Sequence, residues 1–357
     1  MDFLFSPEQD EAAELAARII ADRATTERMK AVEAAGDRFD RDLWQALDDA
    51  GLLSLHLPEE DGGAGLGLVE LARVLVEVGR KVAPVPLAVH GACTAFLAAQ
   101  GAPVEPRLYA AAVAEERAHL PAAPTVTADA GGRLTGAKTL VRAGMAADLL
   151  LVTATGPDGP GVYLVDATAS GVDRQPQHTS DGDVTALVTF TDAPSERVVG
   201  TVDEGAGRWV PHELLGQLLT VCAAAEQLGV TEGALALTSA YAKTREQFGR
   251  PIGTFQAVSQ RLADGFIDVL GQRLTLWQAV WRLSEGLDAA TEVAVAKLWA
   301  ADAGHRLAHT TVHVHGGVGI DLDGEAHRYF TSAKRFEFVF GGATEQALAI
   351  GTSLASA

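Results

Sequence analysis

The chain is poor in cysteine. Of its 357 residues, only Cys93 and Cys222 carry a thiol. Two thiols so far apart in the sequence provide neither a disulfide framework nor a zinc knuckle, which fits a reducing compartment. The first residues, from Met1 to Glu8, contain no basic segment followed by an apolar core, so no secretory signal is expected. We therefore expect a cytoplasmic protein.

Basic residues are also scarce. The chain has 28 Lys and Arg against 47 Asp and Glu, which gives a formal net charge of −19. Nucleic acids and anionic membranes carry negative charge themselves, so this balance argues against a nucleic-acid partner. The content of 48% hydrophobic and 21% charged residues is ordinary for a globular protein and excludes general disorder. The length allows two or three domains.

An uninterrupted membrane-spanning segment is not apparent. The stretch from Val82 to Val104 contains no Asp, Glu, Lys or Arg, but it holds Pro84, Pro86 and Pro103. Proline removes backbone hydrogen bonds that lipid cannot replace. We predict a loop that enters a buried helix, and no membrane span.

The spacing of apolar residues along the chain changes twice. Apolar residues recur at helical spacing over Glu8–Ile20, Asp40–Ala50 and Leu68–Gly79. From residue 125 to about 202, short runs of strand-forming residues are separated by turn formers, which predicts a small antiparallel β domain. Long Ala/Leu-rich stretches follow, at Leu214–Tyr241, Phe255–Leu283 and Ala289–Val312, and suit a packed helical bundle. We predict an N-terminal α-helical domain over 1–120, a middle β domain over 121–205 and a C-terminal α-helical bundle over 206–357.

Two motifs stand out in the C-terminal part of the chain. The first, Tyr241–Gln256, reads YAKTREQFGRPIGTFQ, and the second, His313–Ile320, reads HVHGGVGI. Arg245 offers a planar, permanently charged fork for phosphate. The amides of Gln247 and Gln256 can form hydrogen bonds, and Phe248 offers an apolar face for a ring. Gly316 and Gly317 remove side chains where a backbone must approach a ligand closely.

The two motifs resemble, in order, the two signatures of the acyl-CoA dehydrogenase family, and Trp44–Gly79 is similar to that family's N-terminal helical domain. The resemblance implies an acyl-CoA dehydrogenase-like fold, with an N-terminal all-α domain, a central antiparallel β domain and a C-terminal four-helix bundle that drives oligomerisation. It also implies FAD as cofactor, its ADP half bound from a neighbouring subunit. The residues implied for this contact are Arg245, Gln247, Phe248, Gln256, His313, Gly316 and Gly317. His313 stands where most members have Gln, and either side chain can donate to a phosphate or ribose oxygen.

The catalytic base of the family is missing. The family's reaction removes a proton from the carbon next to a thioester carbonyl, while a hydride leaves the β carbon for the flavin, and the proton step needs a carboxylate. The resemblance places the usual base at Gly341 and the alternative base at Leu219. Neither residue can accept a proton, so we expect no catalytic residue in this chain. Glu345 matches a polar residue that the family places near the flavin.

The contacts to the flavin ring are also reduced. Ala112–Val126 lacks the family segment that holds the ring, and Leu140 replaces a Trp that packs against it. The run Val312–Asp321, followed by Glu325–Phe330, resembles the non-catalytic subunits of actinobacterial heterotetrameric (α2β2) acyl-CoA dehydrogenases, which act on CoA thioesters of steroid side chains. We expect such a subunit, which shares FAD and the acyl-CoA substrate with a catalytic partner.

Two other functions stay open. One is a self-sufficient homomeric dehydrogenase with a relocated base. Glu226 is its best candidate, although it lies seven residues beyond Leu219 and therefore about 10 Å along the helix. The other is a flavin-free acyl-CoA-binding scaffold. His305, His309 and His313 have a spacing that zinc could use, but no Cys or Glu completes a site, so no metal is expected.

Overall fold

The computed structural model describes residues 4–198 and 210–356, which fall into two compact units. The first, the helical unit, comprises Met1–Ala31, Ala72–Ala83 and Ala223–Ala357, and the second, the sheet unit, comprises Val32–Leu71 and Pro84–Cys222. The predicted boundary between residues 205 and 206 lies outside the described residues. The division into three domains stays a prediction.

The described residues form ten α-helices and ten β-strands. The helices are α1 (Pro7–Arg23), α2 (Thr26–Ala35), α3 (Arg41–Asp49), α4 (Leu68–Arg80), α5 (Leu87–Ala99), α6 (Pro211–Thr244), α7 (Gln256–Ser284), α8 (Ala290–His315), α9 (Ala326–Phe338) and α10 (Ala343–Ser356). The strands are β1 (Tyr109–Ala112), β2 (Thr127–Ala128), β3 (Arg133–Arg142), β4 (Leu149–Gly156), β5 (Gly159–Asp166), β6 (Val172–His178), β7 (Val184–Pro194), β8 (Glu196–Arg197), β9 (Glu246–Gln247) and β10 (Arg250–Pro251).

Two of the early helices begin at residues that cap them. Ser6 and Gln9 form a reciprocal capping box at the start of α1. The carboxylate of Asp40 accepts hydrogen bonds from the backbone N–H groups of Asp42 and Leu43 at the start of α3. The helices predicted in the first third of the chain are confirmed as α1, α3 and α4.

The eight-stranded sheet has the order β6-β7-β3-β2-β4-β5-β8, and β1 also pairs with β4. Most neighbours are antiparallel, but β1 and β2 both run parallel to β4. The prediction of a purely antiparallel sheet was therefore wrong for these pairs, while the fold class is confirmed with a mixed sheet. All four residues of β1 are buried, so this strand lacks the apolar–polar alternation typical of a strand with one solvated face.

Two apolar helices are buried. Ten of the thirteen residues of α5 are buried, which confirms that the uncharged segment from Val82 to Val104 contains a core helix. Helix α6 is long and apolar enough to cross a membrane by length and composition alone, but 94% of its most apolar window is buried. Such burial is typical of a core helix.

In the helical unit, α8 packs against α7, α9 and α10. The amide of Gln227 on α6 donates to the carbonyl oxygen of Ala300 on α8, and the hydroxyl of Thr231 on α6 donates to the Gln272 side chain on α7. Helices α4 and α6 touch through their backbones at Gly79 and Gly229, where a Cβ atom would overlap the opposite helix. Small residues at a crossing allow this approach and fix the position of α6.

Candidate functional site

The first motif, Tyr241–Gln256, contains a tight hairpin that follows the end of α6. Strands β9 and β10 pair antiparallel, with Gln247 opposite Arg250. The two residues of the connecting turn have positive φ, +54° for Phe248 and +75° for Gly249, as a type I′ turn requires. A left-handed conformation is strained for phenylalanine. The turn leaves the Phe248 side chain 92% exposed.

Arg245 lies between the helix and the hairpin. Its N–H donates to the carbonyl oxygen of Tyr241 at 2.8 Å, and its carbonyl oxygen accepts from the N–H of Ile252 at 2.8 Å. The backbone at this position is thus held from both sides. The Arg245 side chain is exposed, and in the described parts of the chain no carboxylate pairs with it. A fixed backbone with an unpaired guanidinium suits the binding of an anion.

The hairpin is supported from α7. The guanidinium of Arg250 lies over the ring of Phe255, 4.3 Å from its centroid. The rings of Phe248 and Phe255 meet edge to face at 6.1 Å. Gln256, the first residue of α7, is exposed, as is Gln247, whose side-chain amide donates to the carbonyl oxygen of Glu246.

The second motif forms the end of α8. His313 is exposed on the last turn, and Gly316 follows the helix with φ +65°, a conformation that favours glycine. A Cβ atom added to Gly316 or to Gly317 would meet no atom within 4 Å. Packing within the described chain therefore does not require either glycine, and open space surrounds this backbone.

The structure brings the two motifs together through one aromatic pair. Tyr241, one turn before Arg245, stacks on His315, with ring centroids 4.3 Å apart and planes inclined by 23°. The Nδ1 atom of His315 lies 2.8 Å from the carbonyl oxygen of Thr311. One turn deeper, the hydroxyl of Thr238 donates to that of Thr311 at 3.2 Å. Sequence reasoning missed Tyr241 and His315, although both lie inside the quoted motifs.

The position of the usual base is built for glycine. Gly341 has φ +98°, and its N–H donates to the carbonyl oxygen of Phe338. A Cβ atom there would lie 2.7 Å from the side-chain amide nitrogen of Gln346. Leu219, the alternative base position, is 1% exposed in the core of the sheet unit.

The nearby acids have structural contacts. A carboxylate oxygen of Glu345 accepts from the N–H of Gly342 at 2.8 Å, at the start of α10. Glu226 is 4% exposed, on the stretch of α6 whose backbone meets Gly79 of α4. These surroundings do not resemble an open substrate site.

A buried lysine was not foreseen from the sequence. Lys297 on α8 is 1% exposed, and its Nζ donates to the carbonyl oxygens of Phe336 and Glu337 at the end of α9. Burial lowers the pKa of Lys297 to about 7. The only available signal was a lysine within an alanine-rich helix. Its position ties the turn that contains Gly341 to the bundle core.

In the sheet unit, the segment that should hold a flavin ring carries a buried ion pair. The Nζ atom of Lys138 is buried and donates to Glu115 at 2.7 Å and to the Thr153 hydroxyl at 3.0 Å. Glu115 also accepts from the backbone N–H and the hydroxyl of Thr125. These polar groups thus form hydrogen bonds with one another. Leu140 is 49% exposed with φ +52°.

The spaced histidines do not converge. The rings of His305 and His309 are 4.6 Å apart, and His305 lies 3.0 Å from both Glu337 and the ammonium group of Lys334. A lysine ammonium at this position opposes a metal cation. Among the described residues, no group of three potential ligands could hold a metal ion.

A cavity of about 280 Å³ lies in the sheet unit. Its lining includes Glu33, Asp37, Asp181 and Asp183, and its one arginine, Arg38, pairs with Asp181 at 3.1 Å. This acidic lining does not suit a pyrophosphate.

The chain is similar to known proteins over nearly its whole length. The model of the acyl-CoA dehydrogenase N-terminal domain matches residues 6–117, and that of the C-terminal domain matches residues 219–354. The chain is 43% identical to the acyl-CoA dehydrogenase FadE27 of Mycobacterium tuberculosis over 99% of both chains. It matches a chain of the ChsE4-ChsE5 complex of M. tuberculosis with TM-score 0.92 and 41% identity over 100% of both chains. It matches a chain of the Tcur3481-Tcur3483 steroid ACAD G363A variant with TM-score 0.90 and 38% identity over 98% of both chains. This chain therefore belongs to the acyl-CoA dehydrogenase family of flavin-dependent oxidoreductases.

Proposed function

We propose that this chain is the accessory subunit of a heterotetrameric (α2β2) cytoplasmic acyl-CoA dehydrogenase that introduces an α,β double bond into the CoA thioester of a steroid side chain. The partner subunit supplies the catalytic carboxylate and the pocket for the flavin ring. This chain contributes the contacts to the ADP end of FAD and part of the subunit interface.

The observation that carries the proposal is Gly341 at the base position. Its backbone has the left-handed φ that glycine favours. A carboxylate residue placed there by a single substitution would therefore have a strained backbone. Leu219 is buried and apolar, and Glu345 holds the first turn of α10. No acid at these positions is placed to take a proton from a substrate carbon.

The residues of the two motifs fit one end of a dinucleotide. Open space surrounds Gly316 and Gly317, and Arg245 has an unpaired guanidinium for a phosphate. The residues that would hold the ADP end are Arg245, Gln247, Phe248, Gln256, His313, Gly316 and Gly317. Bound FAD supplies the hydride acceptor of the family's reaction. Because these side chains are exposed rather than enclosed in a pocket, a second chain must complete the site.

The relatives support the partner and the substrate class. Two of the similar structures are complexes of two different proteins, ChsE4 with ChsE5 and Tcur3481 with Tcur3483, and the latter is a steroid acyl-CoA dehydrogenase. Similarity over essentially the whole chain favours an assembly with a second, different protein for this chain as well.

The main test compares the chain alone with the chain purified together with a second acyl-CoA dehydrogenase-like protein from the same genome that carries the catalytic carboxylate. We expect a colourless isolated chain and a yellow complex with one FAD for every two chains, measured by flavin absorbance against protein mass. A fully flavinated homomer that oxidises acyl-CoA would refute the proposal. Loss of that homomer's activity in Glu226→Gln would then support the relocated base.

A second test addresses the nucleotide contact. A hydrogen bond between a charged guanidinium and a phosphate contributes about 1.5–3 kcal/mol, so Arg245→Ala should weaken FAD binding by the complex about 10- to 150-fold. Arg18→Ala, which removes an exposed arginine on α1, is the matched control and should leave the affinity unchanged. Unchanged flavin content in Arg245→Ala would favour the flavin-free scaffold.

A further inference from the structure

The segments proposed to hold the nucleotide lie at the ends of three packed helices. Helix α6 is followed by the hairpin after Arg245, α7 begins at Gln256, and α8 is followed by Gly316. The distances between these segments therefore depend on the position of each helix along its neighbours. Apolar packing is non-directional, whereas a hydrogen bond requires its donor and acceptor at one separation and angle. Buried hydrogen bonds between the helices are thus the contacts that fix the axial position most sharply.

Two buried polar contacts join α6 to α8. The side-chain amide of Gln227 donates to the carbonyl oxygen of Ala300 at 3.3 Å, and the hydroxyl of Thr238 donates to that of Thr311 at 3.2 Å. Each contact joins residues 73 positions apart in the sequence. The two helices therefore run in the same direction with one constant register, and they end on the same side of the helical unit.

Gly304 makes room for the first of these contacts. A Cβ atom at this position would lie 1.8 Å from the side-chain nitrogen of Gln227. Glycine in the interior of a helix costs stability relative to alanine, so its presence in α8 has to be explained by packing. A shift of α8 by one residue, about 1.5 Å along the axis, would bring a neighbouring side chain against the Gln227 amide. The pair of Gln227 and Gly304 thus allows one axial position.

A third polar contact joins α6 to α7. The hydroxyl of Thr231 lies 3.1 Å from the side-chain oxygen of Gln272, and it also contacts two carbonyl oxygens of its own helix. Thr231 follows Gln227 by four residues and precedes Thr238 by seven, so the three lie on one face of α6. The same face of α6 therefore sets the positions of both α7 and α8.

These contacts form a polar ladder of five buried side chains, each at most 2% exposed, namely Gln227, Thr231, Thr238, Gln272 and Thr311. Stability alone does not explain it. Among the described residues, Oε1 of Gln227 and Nε2 of Gln272 are buried without a hydrogen-bond partner. Exchanging the oxygen and nitrogen of the Gln272 amide would still leave one atom unpaired, because Thr231 is its one partner in the described chain. Such atoms cost free energy, whereas an apolar side chain of similar size would not.

We therefore propose that the polar ladder fixes the axial positions of α6, α7 and α8 and thereby the geometry of the nucleotide site. The inference rests on the proposed function and adds positioning residues to it. Thr238 lies seven residues before Arg245, or about 10 Å along the helix, so the ladder acts through the helices and not by touching the nucleotide. Buried polar groups that fix one arrangement of helices at a cost in stability are known from coiled coils.

The first test replaces both amides in the double variant Gln227→Met, Gln272→Met. Methionine keeps a straight side chain of similar length, and the Thr231 hydroxyl retains its backbone acceptors. We expect a urea midpoint of the isolated chain equal to or above that of the wild type, because two unpaired buried atoms are removed. FAD binding by the two-protein complex should nevertheless weaken about 2- to 12-fold, the equivalent of one neutral hydrogen bond. Unchanged affinity, or weaker binding accompanied by a lower urea midpoint, would overturn the proposal.

The second test uses a matched pair of substitutions on α6. Thr238→Val and Thr220→Val each remove one buried hydroxyl, but that of Thr220 donates to Gly216 within the same helix. The readout is hydrogen exchange of the backbone amides of residues 246–252 in the isolated chain, which requires neither FAD nor a partner. We expect faster exchange in Thr238→Val than in the wild type, and no change in Thr220→Val or in Thr238→Ser, which retains the hydroxyl.

Equal exchange in the two valine variants would overturn the role of the ladder. This outcome is distinct from a failure of the proposed function. If exchange changes as expected while the wild-type complex binds no FAD, the ladder is confirmed as the contact that fixes the helices, and the proposed function is wrong.

Discussion

The stack of Tyr241 on His315 should hold the ends of α6 and α8 in the arrangement that the proposed nucleotide site requires. It is the aromatic contact that ties α6, which ends in the Arg245 hairpin, to α8, which ends in Gly316 and Gly317. We consider Tyr241→Leu, which keeps an apolar side chain but removes the ring. The Thr238–Thr311 hydrogen bond remains, so the two helices should stay packed while their ends loosen.

The size of the expected effect on FAD affinity follows from the Tyr241–His315 pair alone. An aromatic stack contributes about 0.5–1.5 kcal/mol beyond the burial of its area. If the site must be ordered to bind, FAD affinity should fall about 2- to 12-fold. Tyr241→Phe retains the ring and should stay within about twofold of the wild type, which separates the stack from any effect of the hydroxyl.

Two measurements check this expectation. Flavin fluorescence on dilution of the two-protein complex gives FAD release. Hydrogen exchange of the Gly316–Ile320 amides in the isolated chain reports loosening without cofactor or partner. Faster exchange in Tyr241→Leu, but not in Tyr241→Phe, is expected. Equal exchange and equal affinity in all three proteins would refute the positioning role of the stack.

Three further outcomes are expected. In the isolated chain, Gly341→Glu should give no acyl-CoA oxidation, and measurable activity would mean that the base position is usable. The substitution should also lower the free energy of unfolding by about 1–2 kcal/mol in urea titration, because φ is +98° at this residue. Burial lowers the pKa of His56 to about 4 and that of His90 to about 3, from 6.5, so below pH 6.5 the unfolded chain binds protons that the folded chain does not. The free energy of unfolding should therefore decrease as the pH is lowered, by about 2 kcal/mol for each histidine between pH 6.5 and 5. A urea midpoint that stays constant over that range would contradict this expectation. Lys138→Met should cost about 3–5 kcal/mol, or roughly 4–7 °C in the melting temperature, because Glu115 stays buried without its cation. The double variant with Glu115→Gln should lose less than the sum of the single changes.

The sequence predicted most of the secondary structure because the local signals are strong. Ser6 and Asp40 are good capping residues at the start of apolar-periodic segments, and the structure uses both in that way. The parallel pairing of β1 was missed, since the direction of pairing depends on which strand lies beside it, and the short run Tyr109–Ala112 does not indicate that strand. Partner strands are chosen by the path of the whole chain, which no short window contains.

The sequence supplied candidate residues for the site but not their arrangement. Arg245 and Gly316 stood out because charge and the lack of a side chain are properties of single residues. The stack of Tyr241 on His315 could not be predicted, because it joins residues 74 positions apart in the sequence. The φ of Gly341 likewise depends on the turn between α9 and α10, in which the hydrogen bond to Phe338 is formed.

The sequence by itself determined which groups this protein has: the two motifs Tyr241–Gln256 and His313–Ile320, and a glycine at position 341. These follow from residue identity and spacing along one chain. Only the tertiary structure decided which groups meet, which are exposed and which satisfy each other, as Lys138 and Glu115 do. Contact, burial and backbone strain arise from segments far apart in sequence that pack against one another, and they exist only once the chain is folded.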